Sequence, residues 1–111
     1  MSELKPEAAA VLSPEDEVRS RILGETAKIE WQELQRFFAA GHAVSVAPSL
    51  DLVDVAYQMS QDNDMLVASW MDDGKIRPVK DSEAIEWLDT KALMWTVVIK
   101  PWVLVQPVLN K

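Results

Sequence analysis

The sequence predicts a small α+β domain, on three observations. Residues 50–74 read as two short apolar-periodic helices joined by a tight acidic corner, Asp62-Asn63-Asp64. Residues 31–40 place Trp31, Leu34, Phe37 and Phe38 at offsets of three, six and seven, the stripe of a core-facing helix. Residues 93–105 form an apolar run of the kind that builds buried strands, interrupted only at Lys100-Pro101. At 111 residues the chain is long enough for one domain that buries roughly 65% of its unfolded surface, so neither a metal nor a disulfide is needed to hold it.

Element by element, residues 1–12 read as a disordered leader, because Glu, Lys, Pro and Ala dominate and no apolar periodicity begins there. The single α+β domain then occupies residues 13–111. Ser13 is a hydroxyl N-cap, Pro14 sits where its missing N–H costs nothing, and Glu15 and Asp16 face the positive end of the helix dipole. Val18, Ile22, Thr26 and Ile29 mark one face of this first helix, with a break expected near Ile29 or Glu30. The aromatic-rich helix at 31–40 follows and stops at Gly41. Residues 43–47 alternate small and β-branched side chains before Pro48, a short strand. Leu52, Val55, Ala56 and Met59 then follow the i, i+3, i+4, i+7 template, with Ser49 or Asp51 as cap. A further helix runs from the acidic corner to Met71, and Gly74 ends it. Residues 75–79 are extended, at an edge because of Pro78. Asp81-Ser82-Glu83 opens a brief helix holding Ile85, Trp87 and Leu88, and the closing strand is expected to bend or bulge at Pro101.

The order is therefore helix, helix, strand, helix, helix, strand, short helix, strand. Without the first helix, and with residues 81–89 as an insertion, it is winged-helix-like. The competing reading is a generic α+β domain whose acidic helices simply pack on a small sheet.

The formal net charge of −7 and pI near 4.6 oppose association with nucleic acid or anionic lipid and leave basic partners open. Residues 50–74 carry six aspartates and no Lys, Arg or His. A recognition helix in a major groove needs cations for phosphates and base edges, and this one offers Asp64, Asp72 and Asp73. With no cysteine, disulfides, thiol catalysis and Cys-ligated metals are excluded. The only apolar run near the N-terminus, residues 8–12, is too short for a signal peptide and follows acidic residues. No window approaches the ~20 apolar residues of a membrane span. A cytoplasmic protein is expected.

Catalytic and cofactor signatures are not found. Asp62-Asn63-Asp64 begins like an EF-hand loop, but Val67 stands where the loop needs Gly and Asp73 where it needs a bidentate Glu. Helix capping explains the same three residues. Asp72 and Asp73, adjacent on a helix, point roughly 100° apart and make a poor acid/base pair. His42, the single histidine, has no Cys or His company for zinc. No G-x-S-x-G elbow, P-loop or G-x-G-x-x-G is present. No catalytic, metal or cofactor residue is assigned, and the chain is not expected to be an enzyme. Of the five tryptophans, Trp31, Trp70, Trp87 and Trp95 are expected in the core, whereas Trp102, just after Pro101, is the candidate for a rim or interface.

Three blocks of the sequence, residues 25–38 (ETAKIEWQELQRFF), 50–56 (LDLVDVA) and 95–106 (WTVVIKPWVLVQ), resemble the bacterial small-protein family catalogued as domain of unknown function 2288. The resemblance implies a free-standing single-domain protein and gives no functional role to any position.

The sequence thus points to a non-catalytic protein-interaction module, with Asp62, Asp64, Asp72, Asp73 and Trp102 as candidate contacts and the acidic helix pair presented to a basic partner or simply to water. The alternative is a nucleic-acid-binding regulator acting through Lys75, Arg77 and Lys80 on the wing, or as an oligomer. Against it, three charges beside Asp72, Asp73 and Asp81 make a weak patch at a Debye length of ~8 Å. A third reading is a small-ligand-binding domain with a Trp-lined pocket.

Overall fold

The computed structural model describes residues 13–109; the leader expected at 1–12 lies outside them. Helix α1 spans Pro14–Glu25. The Ser13 hydroxyl accepts the Asp16 N–H at 3.1 Å, and three carboxylates occupy the first turn. It stops four residues earlier than its apolar stripe suggests. Thr26 turns extended, and strand β1, Ala27–Glu30, pairs with a later strand instead. Ile22 and Ile29, read as one helical face, end on opposite sides of the sheet, Ile22 buried in one cluster and Ile29 packed on the other.

A 3₁₀ turn at Trp31–Leu34 leads into the short helix α2, Gln35–Ala39, and Gly41 at φ +81° ends it. Trp31 and Leu34 are buried, with Phe37 and Phe38 half-covered beside them. Strand β2, Ala43–Val46, is buried throughout. Helix α3, Leu52–Ser60, is capped by Asp51, whose carboxylate accepts the Val53 N–H at 2.9 Å, and it buries Leu52, Val55 and Ala56. Asp62 takes φ +55° at the corner, and Asn63 caps helix α4, Asp64–Asp72, which Gly74 ends at φ +74°. Strand β3, Ile76–Pro78, and helix α5, Asp81–Asp89, follow. The chain closes with β4, Leu93–Ile99, and β5, Trp102–Pro107.

Lys100-Pro101 does more than bend a strand: it reverses the chain. β4 and β5 are antiparallel neighbours, from Ile99 opposite Trp102 to Met94 opposite Pro107. Proline has no N–H to give to a ladder, so a two-residue hairpin loop is a place it fits without loss.

The five-stranded sheet has the order β1-β4-β5-β2-β3, parallel only between β2 and β5. Period-two alternation sends its side chains into two cores. Val44, Val46, Ile76, Val97 and Leu104 meet α1 and α3 on one face; Ala43, Met94, Val103 and Val105 meet Trp31, Leu34 and Trp87 on the other. The fold is α+β, a single small domain, and its winged-helix likeness is loose. The run α2, β2, α3, α4, β3 keeps that order, but among the described residues β3 pairs only with β2, and β4 lies between β1 and β5. No β3–β4 hairpin forms, so Lys75, Arg77 and Lys80 do not ride on a wing.

Candidate functional site: a groove at Trp102

Helix α4 is rich in apolar residues, yet none of them is buried. It rests on α3 and on the edge strand β3 rather than on the centre of the sheet. Met65 is 87% exposed and Met71 54%, while Leu66, Val67 and Trp70 are half-buried. Trp102 lies beside this helix. As the first residue of β5 it points to the face that carries Leu104, and it remains 39% exposed.

Two adjoining cavities share Met59, Val67 and Trp102 as walls. The first, about 360 Å³, is bounded by the acidic corner Asp62-Asn63-Asp64 and by the hairpin turn Lys100-Pro101. The second, about 180 Å³, runs under α4 to Met71, Ile76 and Pro78 and is mainly apolar. Together they form a groove, polar and charged at one end and mainly apolar at the other. The His42 ring stands edge-on to the Trp102 indole with centroids 6.2 Å apart, and the His42 carbonyl accepts the Val103 N–H at 2.9 Å. These contacts fix the base of Trp102 while leaving its outer surface open.

Of the residues singled out in the sequence, Asp62, Asp64 and Trp102 come together around the first cavity. Asp72 and Asp73 do not; they sit at the far end of α4, roughly 12 Å along the axis from Asp64 by helix rise. Arg77 borders the second cavity, but its guanidinium is committed to Glu83, donating to both carboxylate oxygens at 2.7 Å. That bidentate pair raises Arg77 and, against partial burial, holds the Glu83 carboxyl below its ordinary value. Lys75 and Lys80 are exposed. Of the other groove walls, Val67 and Met71 carry only a weak signal, an apolar surplus on α4 wider than one face requires, and Met59 reads as part of the core stripe of α3.

Trp95 differs from its core expectation. It is 36% exposed, with the Lys28 ammonium 5.0 Å from its ring. It borders a separate cavity of about 240 Å³ with Leu23, Leu52 and Gln106. The Gln106 amide donates to the Ala47 and Leu50 carbonyls, both at 2.8 Å, tying down the loop ahead of α3. Among the described residues, no group of three or more His, Asp or Glu is placed to hold a metal ion, and no helix is long and apolar enough to cross a membrane.

Comparison with solved structures finds a similar chain, described as the NMR solution structure of PA1075 from Pseudomonas aeruginosa. It shares 34% identity at a TM-score of 0.74, covering 99% of this chain and 95% of that one. No curated protein matches. The family described as protein of unknown function (DUF2288) matches residues 17–107. With the three sequence blocks distributed over α1 to β5 and the match spanning both cores, this chain belongs to the DUF2288 family.

Proposed function

We propose that this chain is a non-catalytic, cytoplasmic protein-interaction module whose groove between α4 and β5 receives a basic amphipathic segment of a partner. The observation that carries the reading is the state of α4: an apolar helix that buries no residue, beside a half-exposed tryptophan. Exposed apolar surface in contact with a groove marks an interaction site more often than a scattered surface residue does. Met59, Met65 and Met71 add flexible, polarizable contact that can adapt to a partner's shape. Asp62 and Asp64 at the open end, within a chain of net charge −7, favour Lys or Arg flanking the apolar residues of that partner and steer its approach. Trp102 supplies both an aromatic face for a cation and area for an apolar anchor.

Affinity capture from native lysate tests this. A partner retained by wild type and by Trp95→Ala should be lost with Trp102→Ala and weakened with Asp62→Asn combined with Asp64→Asn. Retention by the Trp102 variant at wild-type level would show that the groove is not the contact.

A further inference from the structure

We propose that β1 is a self-association edge, pairing antiparallel with β1 of a second copy in the register centred on Ile29. β1 ends the sheet, and among the described residues no strand continues the ladder beyond it. Its pairing with β4 settles which backbone groups face outward. The Trp31 N–H donates to the Ala92 carbonyl at 2.9 Å, so Trp31 faces β4, and by alternation Ile29 and Ala27 do too. The Leu93 carbonyl, opposite Glu30, accepts the Val108 N–H on its other side, which fits the same parity. The N–H and C=O groups of Lys28 and Glu30 therefore point away from the sheet.

A two-fold axis through Ile29 sets Lys28 of each copy opposite Glu30 of the other. Both residues then exchange two backbone hydrogen bonds with their counterparts, and their side chains form two opposite-charge pairs on one face of the joined sheet. The two Ile29 side chains meet on the other face. Registers centred on Lys28 or on Glu30 use the same outward groups but set like charges against each other. The strand is thus self-complementary in one register only, as an isologous contact requires.

The opposite edge of the sheet is built differently. The Val79 N–H donates inward to the Ala43 carbonyl, so its neighbour Pro78 occupies an outward position and offers no donor there. β3 is blunted as edge strands commonly are; β1 carries no proline. A four-residue strand buries less than the ~1,200 Å² of a stable interface, so association is weak and rises with concentration.

Sedimentation equilibrium of the full chain at physiological salt, from micromolar to millimolar, tests the proposal. Wild type should pass from monomer to dimer across that range. Glu30→Pro removes an outward N–H where φ is already −67°, so the fold should persist by circular dichroism while dimerisation weakens at least tenfold. Lys28→Glu and Glu30→Lys should each weaken self-association, and an equimolar mixture of the two should form a heterodimer, since every cross-strand pair is then acidic against basic. A monomer at every concentration would overturn the proposal, as would a dimer unaffected by Glu30→Pro or a mixture that associates no better than its components.

Discussion

Trp31 meets Trp87 edge to face with centroids 5.1 Å apart and meets Phe38 at 5.7 Å, so three aromatic rings fill the core on one side of the sheet. Edge-to-face pairs add to the area they bury, and Trp31 keeps only 1% of its surface exposed. Truncating it leaves a cavity that neighbouring rings can close only in part. Trp31→Ala should therefore lose roughly 3 to 5 kcal/mol in urea unfolding. Trp95, under Lys28 at the sheet surface, gives up far less: Trp95→Ala should cost about 1 to 2 kcal/mol. Equal losses for the two variants would mean that Trp95 is packed as tightly as Trp31, against its 36% exposure. In the sequence Trp31 opens an apolar helical stripe among polar neighbours and Trp95 lies in an apolar run; both patterns read as core, and residue type alone gives no means of separating them. What separates them is the pleat: in a nearly continuous apolar strand such as Leu93–Ile99, period-two alternation is masked and the outward-facing member cannot be picked out.

At the scale of elements, local chemistry and long-range pairing were legible to different degrees. Ser13, Ser49 or Asp51, the corner Asp62-Asn63-Asp64, Gly41 and Gly74 signal helix ends by residue type alone, and the structure places ends at Ser13, Asp51, Asn63, Gly41 and Gly74. β1 carried no such signal, because Ala27–Glu30 becomes a strand only by hydrogen-bonding to β4, more than sixty residues away. The β4–β5 hairpin was hidden similarly, a proline loop being readable as a bend or as a reversal. Half of the candidate site is visible in the same way: Asp62, Asp64 and Trp102 stand out by charge and by position after Pro101, whereas the remaining walls arise from how α4, with Val67 and Met71, lies against Met59 of α3. Between elements, the Arg77–Glu83 pair clasps β3 to α5, and Glu83 also accepts the Lys80 N–H at 3.0 Å to cap that helix. Because the folded state holds the Glu83 carboxyl below its ordinary value, its contribution is complete above the ordinary carboxylate range. It is lost as pH falls through the lowered value. Glu83→Gln should lower Tm at neutral pH by an amount equivalent to about 1 kcal/mol at most, and the gap from wild type should close on acidification. A gap that stays constant down to strongly acidic pH would show that charge is not what the pair contributes.

For the whole molecule, the net charge of −7 and the placement of its cations bear on the nucleic-acid alternative together. Helix α4, in the position of a recognition helix, carries Asp64 and Asp72 and no cation. Of the three cations that a winged-helix order would put on a wing, Arg77 is committed to Glu83, and there is no wing hairpin to present Lys75 and Lys80 as a unit. Two lysines neutralising two phosphates would give a salt slope of only about −1.8, against the 6 to 10 contacts typical of a duplex binder. Long-range repulsion from the remaining carboxylates acts against even that at low salt, where screening is weakest. Fluorescence anisotropy with a random DNA duplex should therefore show no binding at physiological salt and, at low salt, at most a weak association. Submicromolar binding with a steep salt slope, abolished by Lys75→Ala together with Lys80→Ala, would sink the interaction-module reading, because two exposed lysines would then be outweighing the field of the entire chain.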